Sequence, residues 1–443
     1  MSGRRPWSPP VTSARLRPGS GQALRVLYLT PYYRPYLGGI ERAIEELSHQ
    51  IQQSPQVEAV GVLTTKYSFP RVAHPEWADR ETLPDGIEVY RLPGFPRWSP
   101  PVYSVPLVWF SPRRVRQYLR EFRPNVIHFV GDGWFWGHYW TRILAPKFPS
   151  GEGQDRERPR FVFTPSFHAL PLSRWWLSPI NALLCRTVDD IVPLTEQEAR
   201  GLALSPPKGY LTQRRKQSII GWGAPLPDSD AVESVRLEVG PEHTDVGVPH
   251  SPSLPASRNG HDLGPLTILC VGRLGRHKAQ LWLLEVYREA KSSFNKPARL
   301  VLVGRDEGDS AAIAAYVAEH GLQDEVVITG EVSDSELARW YARADLFALF
   351  SHYEAFGLVY FEAMAYGVPV LTHDVGSNRE LLHTGAVVTS RFDRQAAAAR
   401  LTELVNDNDA RRQLGADARG YALAEFIWPA VAEKYLEVYR GGR

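Results

Sequence analysis

The 443-residue chain contains almost no cysteine. Cys185 and Cys270 both lie in apolar runs and read as buried small hydrophobes in a reducing compartment, which excludes a disulfide framework. No stretch reaches the roughly 18 consecutive apolar residues of a membrane-crossing helix. Net charge is nearly absent too: 51 Lys and Arg face 49 Asp and Glu, leaving +2, so nothing argues for a nucleic-acid partner. The 13 histidines are scattered without metal-ligand spacing, and no metal site is expected. Also missing are G-x-S-x-G, Walker A and G-x-G-x-x-G, which sets aside Ser hydrolases, P-loop NTPases and ordinary dehydrogenases. Residues 1–23 are rich in Arg, Pro, Ser and Gly without an apolar core, and are expected to form a disordered tail and not a signal peptide. The expected location is cytoplasmic, with a peripheral contact at the inner membrane face left open.

Apolar runs that alternate with helical patterns make up most of the rest. Strands are expected at 24–30, 58–65, 87–93, 125–130, 160–166, 189–195 and 218–223, with amphipathic helices at 40–53 and 111–122. Continuous Val/Ile/Leu runs separated by helices imply parallel strands covered on both faces. Residues 225–265 are dominated by Pro, Ser, Asp and Gly and read as a linker or mobile insertion. The alternation then restarts with strands at 266–272, 299–304, 325–330, 345–350, 368–374 and 386–390. The expected domains are therefore 24–224 and 266–425, followed by a helix within 426–443. Periodicity does not decide whether that helix packs on its own domain or crosses to the first. Ligands of such sheets bind beyond the carboxyl ends of the strands, here in a cleft between two domains.

Two glutamates are the strongest chemical signal. Glu354 and Glu362, in HYEAFGLVYFEAMAYGVPV, flank the start of a helix expected over 358–366. The N–H groups of Phe356, Gly357 and Leu358 and the helix dipole suit a phosphate, and the carboxylates suit hydroxyls. A diphosphate with hydroxyl-rich groups on both sides describes a nucleotide sugar. A glutamate near a helix start is often only a dipole partner, but Glu362 has apolar neighbours all round, where an unpartnered carboxylate is costly.

Three weaker signals accompany the pair. Arg273 and Lys278 in CVGRLGRHKA follow directly on a strand, a fork and a point charge suited to a diphosphate. Gly38 and Gly39 open a helix after a strand, which permits close approach of an anion, although a bare GG more often marks an ordinary turn. His168 lies just past a buried strand, at the edge where a site belongs, whereas His128 reads as core.

Taken together these segments resemble the retaining glycosyltransferases of the GT4 family (glycosyl transferase group 1) over roughly residues 25–440. The likeness is strongest over 267–390, where ILCVGRLGRHKA, LVLVGRDEG and VVITGEVSDSELARWYARADLFALFSHYEAFGLVYFEAMAYGVPVLTHDVGSNREL follow the family's order. The resemblance implies the GT-B fold: α/β, two doubly wound Rossmann-like domains facing each other across a cleft. It implies that Arg273 and Lys278 neutralise the donor's diphosphate, that Glu362 takes the ribose hydroxyls, and that Glu354 lies by the transferred sugar. By the same likeness Phe356, Gly357 and Leu358 hold phosphate or sugar oxygens through their N–H groups, main chain around Val332 faces the base, Gly39 approaches the diphosphate from the first domain, and His168 lies by the sugar's C6 hydroxyl.

The implied reaction is metal-independent transfer of a hexosyl unit with retained configuration, from a UDP- or GDP-linked sugar to a sugar, lipid-linked or small-molecule hydroxyl. No cofactor is implied. Ala279, Ala355 and the single Gly376 of Val375-Gly376-Ser377 depart from the family's commoner glycines. Aromatic stretches at 94–110, 131–140 and 173–184 are the candidates for an acceptor or lipid surface. The alternatives are a non-catalytic GT-B nucleotide-sugar binder or scaffold, or another GT-B enzyme such as a nucleotide-sugar epimerase.

Overall fold

A computed structural model describes residues 23–35, 39–68, 72–93, 95–97, 107–109, 111–131, 136–149, 156–165, 185–204, 216–227, 265–354 and 356–441. His168, Ala355, residues 1–22, 228–264 and much of the three aromatic stretches lie outside them. The first domain runs β1 (Leu24–Leu29), α1 (Gly39–Gln52), β2 (Val57–Thr65), β3 (Arg80–Thr82), β4 (Glu88–Leu92), α2 (Pro112–Phe122), β5 (Val126–Val130), α3 (Trp136–Leu144), β6 (Arg160–Thr164), β7 (Asp190–Ile191), α4 (Glu196–Leu204) and β8 (Lys216–Gln217). Its sheet has the order β8-β7-β6-β5-β1-β2-β4-β3. All pairs are parallel except the edge pair of β3 and β4.

The second domain runs β9 (Leu266–Val271), α5 (Gln280–Ala290), β10 (Ala298–Val303), α6 (Ser310–Glu319), β11 (Val326–Gly330), α7 (Asp334–Arg343), β12 (Leu346–Ala348), α8 (Leu358–Ala365), β13 (Val370–His373), α9 (Asn378–Leu381), β14 (Ala386–Thr389), α10 (Arg394–Asn406) and α11 (Asn408–Glu425). Its six parallel strands have the order β11-β10-β9-β12-β13-β14. All five residues of β5 and all six of β9 are buried, which is why these strands read as near-continuous apolar runs, broken only by His128 and Thr267, and do not alternate.

Local chemistry sets the helix ends. Ser333 and Glu336 form a reciprocal capping box at the start of α7, an arrangement contributing about 1 kcal/mol. Asp393 and Asp407 cap α10 and α11 through the N–H groups of Ala396 and Ala410. In α2 a proline takes the first turn and Val115, Tyr118, Leu119 and Phe122 form the buried stripe, leaving Arg113, Arg116 and Arg120 exposed.

The strand expected at 218–223 does not form, and that at 189–195 shortens to Asp190–Ile191. Pro193 explains both. It accepts a 3.1 Å bond from the Ile220 N–H but has no N–H to return, so the ladder ends there. The chain turns instead to the C-terminal segment, where Ala224 pairs with Ile427 in a parallel bridge.

The last helix, α12 (Trp428–Tyr439), packs on the first domain. The hydroxyl of Tyr439 bonds that of Tyr28 at 3.0 Å and Nδ1 of His128 at 2.8 Å, while Nε2 of His128 reaches Thr164 at 2.9 Å. All four residues are buried. Residues 218–227, which leave that domain, and residues 426–428, which enter α12, therefore run side by side at Ala224.

Candidate active site

The site grows from the carboxyl ends of β9 and β12. Chain direction reverses after each strand, and the loops present Arg273 and Lys278 from one side and Glu354 from the other. Lys278 donates to Oε1 of Glu354, and Ser351 donates to the same oxygen at 2.7 Å. Glu354 is 8% exposed, so this carboxylate is held by a cation and a hydroxyl in a poorly solvated place. Gly376 makes room for it: a side chain there would overlap the Glu354 carbonyl, and its φ of 54° suits glycine.

Three residues past Glu354, Gly357 forms the N-cap of α8 with φ 77° and ψ 58°. Any side chain there would strike the Tyr360 ring. No described residue accepts a hydrogen bond from the N–H groups of Phe356, Gly357 or Leu358. Phe356 itself is buried against Phe361 and Phe426. Glu362 lies farther along the same helix, buried, and receives a 2.7 Å bond from the hydroxyl of Tyr341 on α7. Burial first, then the Glu362 charge, pushes the Tyr341 pKa far up, so the phenol stays a donor.

Arg273 is paired with Glu307 at 2.5 Å and lies 3.4 Å from Nε2 of His277. Burial, with Lys278 and Arg273 adding, lowers the His277 pKa, which leaves the ring neutral near pH 7. Cys270, beneath this loop, is buried, and its thiol is pushed up to about 12, an inert group.

From the first domain, Gly39 is exposed at the first position of α1, with open space where a side chain would be. One turn later Arg42 reaches Asp334 of α7 at 3.1 Å. Burial pulls the Arg42 pKa down, and the carboxylates of Glu362 and Asp334 more than reverse it. Val332, two residues before Asp334, is partly buried against the core. Below Glu354 the domains meet again: Glu380 accepts from the N–H groups of Glu196 at 2.6 Å and Gln197 at 2.9 Å, and Ser377 bonds Thr195 at 3.1 Å.

Lys278 and Glu354 thus come into direct contact, and Glu362 lies on the helix between them and Arg42. Arg273 and Lys278 are each engaged by a carboxylate and do not touch one another's partner. Sequence reasoning missed Tyr341, Ser351, Glu307, Asp334 and Arg42. A hydroxyl at a buried helical position, as at Tyr341, was the available signal for one of them. The others are revealed only by which loops the topology brings together.

Residues 256–421 match the family described as glycosyl transferases group 1, and residues 38–208 match the glycosyl transferase 4-like domain. A D-inositol 3-phosphate glycosyltransferase of Thermobispora bispora is 38% identical over 150 residues, which is 32% of this chain and 35% of that protein. A GDP-mannose-dependent alpha-(1-6)-phosphatidylinositol monomannoside mannosyltransferase of Mycobacterium tuberculosis is 31% identical over 186 residues, 40% of this chain and 47% of that protein. The chain thus spans less than half the length of these curated relatives in the matched stretch. Whole-chain likeness comes from solved structures. Sucrose-phosphate synthase of Thermosynechococcus elongatus superposes with a TM-score of 0.66 at 20% identity, covering 94% of this chain and 98% of that one. HepE of Anabaena, in complex with UDP and glucose, gives 0.64 at 15% identity, covering 94% and 99%. The chain thus carries a glycosyl transferase 4-like domain followed by a glycosyl transferases group 1 domain, two Rossmann-like domains in the GT-B arrangement.

Proposed function

We propose that this protein is a glycosyltransferase that moves a hexosyl unit from a nucleotide-diphosphate sugar to a hydroxyl acceptor, with retention and without a metal ion. The observation that carries the reading is the largely buried Lys278–Glu354 pair beside the N–H groups at the start of α8, which have no acceptor among the described residues. Lys278 and Arg273 supply the positive charge that a divalent cation supplies to diphosphates elsewhere. As the bond from the anomeric carbon to the diphosphate breaks, charge grows on the leaving oxygen, toward which these cations and the helix dipole are aimed. The acceptor hydroxyl bonds to the same face of that carbon and its proton passes to the departing phosphate. Glu354 takes a sugar hydroxyl, Glu362 the ribose, main chain at Val332 the base, Gly39 the diphosphate and His168 the sugar's C6 hydroxyl.

UDP- and GDP-sugars are the favoured donors; the two curated relatives act, by their names, on inositol-containing acceptors, one of them from GDP-mannose. The acceptor is a sugar, lipid-linked or small-molecule hydroxyl bound by the first domain. The exposed arginines of α2 support a peripheral contact with an anionic membrane face. No helix among the described residues is long and apolar enough to cross a membrane.

The test incubates the protein with UDP-, GDP- and ADP-sugars, with and without chelator, and follows nucleotide release and anomeric configuration by NMR. Retained product at an undiminished rate in chelator is expected. Binding without transfer or slow hydrolysis would sink the enzyme reading, and an inverted product would sink the mechanism.

A further inference from the structure

A carboxylate stands where a diphosphate clamp calls for cations. Oε1 of Glu307 is 2.5 Å from Nη1 of Arg273 and 3.6 Å from Nη2 of Arg305, and Oε2 is 3.9 Å from Nδ1 of His277. Main chain fixes its place. The Leu274 N–H donates to the Arg305 carbonyl at 2.8 Å, and the N–H groups of Glu307 and Asp309 donate to the Leu274 carbonyl at 2.9 and 3.2 Å. These bonds lock the loop after β10 onto the loop after β9. Glu307 therefore cannot drift away from Arg273 by loop motion alone. Its side chain is 26% exposed, so solvent screens its charge only in part. A partly exposed loop position does not need a charge for packing, and a negative one opposes any polyanion bound at the clamp. The cations Arg273, Lys278 and Arg305 thus face the two carboxylates Glu307 and Glu354.

We propose that Glu307 is a positioning residue that directs Arg273 and limits how firmly the clamp holds a nucleoside diphosphate, so that the product leaves. The inference rests on the donor reading above. Breaking the bond to the sugar leaves a terminal phosphate with up to one more negative charge than the donor carried. A clamp of cations alone holds that product more firmly than the substrate. A fixed carboxylate offsets the difference, because its repulsion grows with the charge of the ligand.

Glu307→Gln keeps the size of the side chain and its acceptor for Arg273 while removing the charge. Calorimetric titration with UDP, GDP and ADP, at low and high salt, reads the effect directly. The variant should bind the nucleotide that the wild type prefers about fivefold more tightly at low salt, with the gap closing at high salt. Its kcat should fall together with its product-inhibition constant. Glu307→Ala, which also lets Arg273 swing, should lower kcat and raise the donor KM. If Glu307 only fastened two loops, Glu307→Gln would bind nucleotide equally or more weakly, and that result overturns the inference alone. Failure of the wild type to bind any of the three nucleotides overturns the donor reading and this inference with it.

Discussion

The hydroxyl of Tyr341 donates a 2.7 Å hydrogen bond to Oε2 of Glu362, and both residues are buried. Tyr341→Phe should therefore leave a buried carboxylate oxygen short of a donor, at a cost of about 1–3 kcal/mol. A thermal melt should show the loss. If Glu362 takes the ribose as proposed, steady-state kinetics should show a donor KM raised several-fold with kcat little changed, because such a contact is alike before and during transfer. An unchanged KM would remove Tyr341 from the donor site.

Mutation of the two glutamates should differ in kind. Glu362→Ala should mainly weaken donor binding, measured by titration with the nucleotide sugar. Glu354→Ala should mainly slow transfer, measured in single turnovers. If both merely raised the donor KM, the division of roles between sugar and ribose would be wrong.

Glu380 caps the first two N–H groups of α4 from the opposite domain. Glu380→Ala should orphan those groups and favour an open arrangement of the domains. Small-angle scattering should report a larger radius of gyration, and transfer should slow because closure excludes water from the reaction. Equal radii for variant and wild type would show that other contacts hold the cleft.

His128 and His138 have pKa values lowered to about 3, chiefly by burial. Each is neutral in the native protein and gains a proton on unfolding below about 6.5. Between pH 6.5 and 3 the unfolded chain binds more protons, so stability should fall as pH falls, by at most about 1.4 kcal/mol per pH unit for each histidine. Denaturant melts across this window should show the slope, and replacing His128 by Gln should make it shallower. A flat profile would contradict the burial.

Arg113, Arg116 and Arg120 stand exposed on α2. If this face meets an anionic bilayer, replacing all three by Gln should abolish sedimentation with phosphatidylglycerol vesicles while the melting temperature stays the same. Equal sedimentation of variant and wild type would remove α2 from any membrane contact.

Much of this architecture was legible in the residues, and the reasons are local. The buried strands β5 and β9 announce themselves because both faces are covered, so all their side chains are apolar except His128 and Thr267. The start of α8 was legible because Gly357 and the apolar run after it leave little choice of conformation. Pro193, by contrast, ended a ladder that propensity alone would have continued, and the 218–223 strand was lost with it. Glu307 and Asp334 were invisible as site residues, since each is an ordinary loop or cap acid until Arg273 or Arg42 arrives from another element. His128 reads as core from its strand, but its hydrogen bond to Tyr439 spans most of the chain and no pattern announces it.

The helix that ends the chain is bolted to the domain with which it begins, through Tyr439, Tyr28 and His128. The described residues that leave the first domain and those that enter this helix run hydrogen-bonded side by side at Ala224 and Ile427. A two-ply strip of this sort folds readily along one line but resists torsion. Opening and closing of the cleft should follow a single swing, so that Gly39 and the start of α8 return to the same register after every turnover.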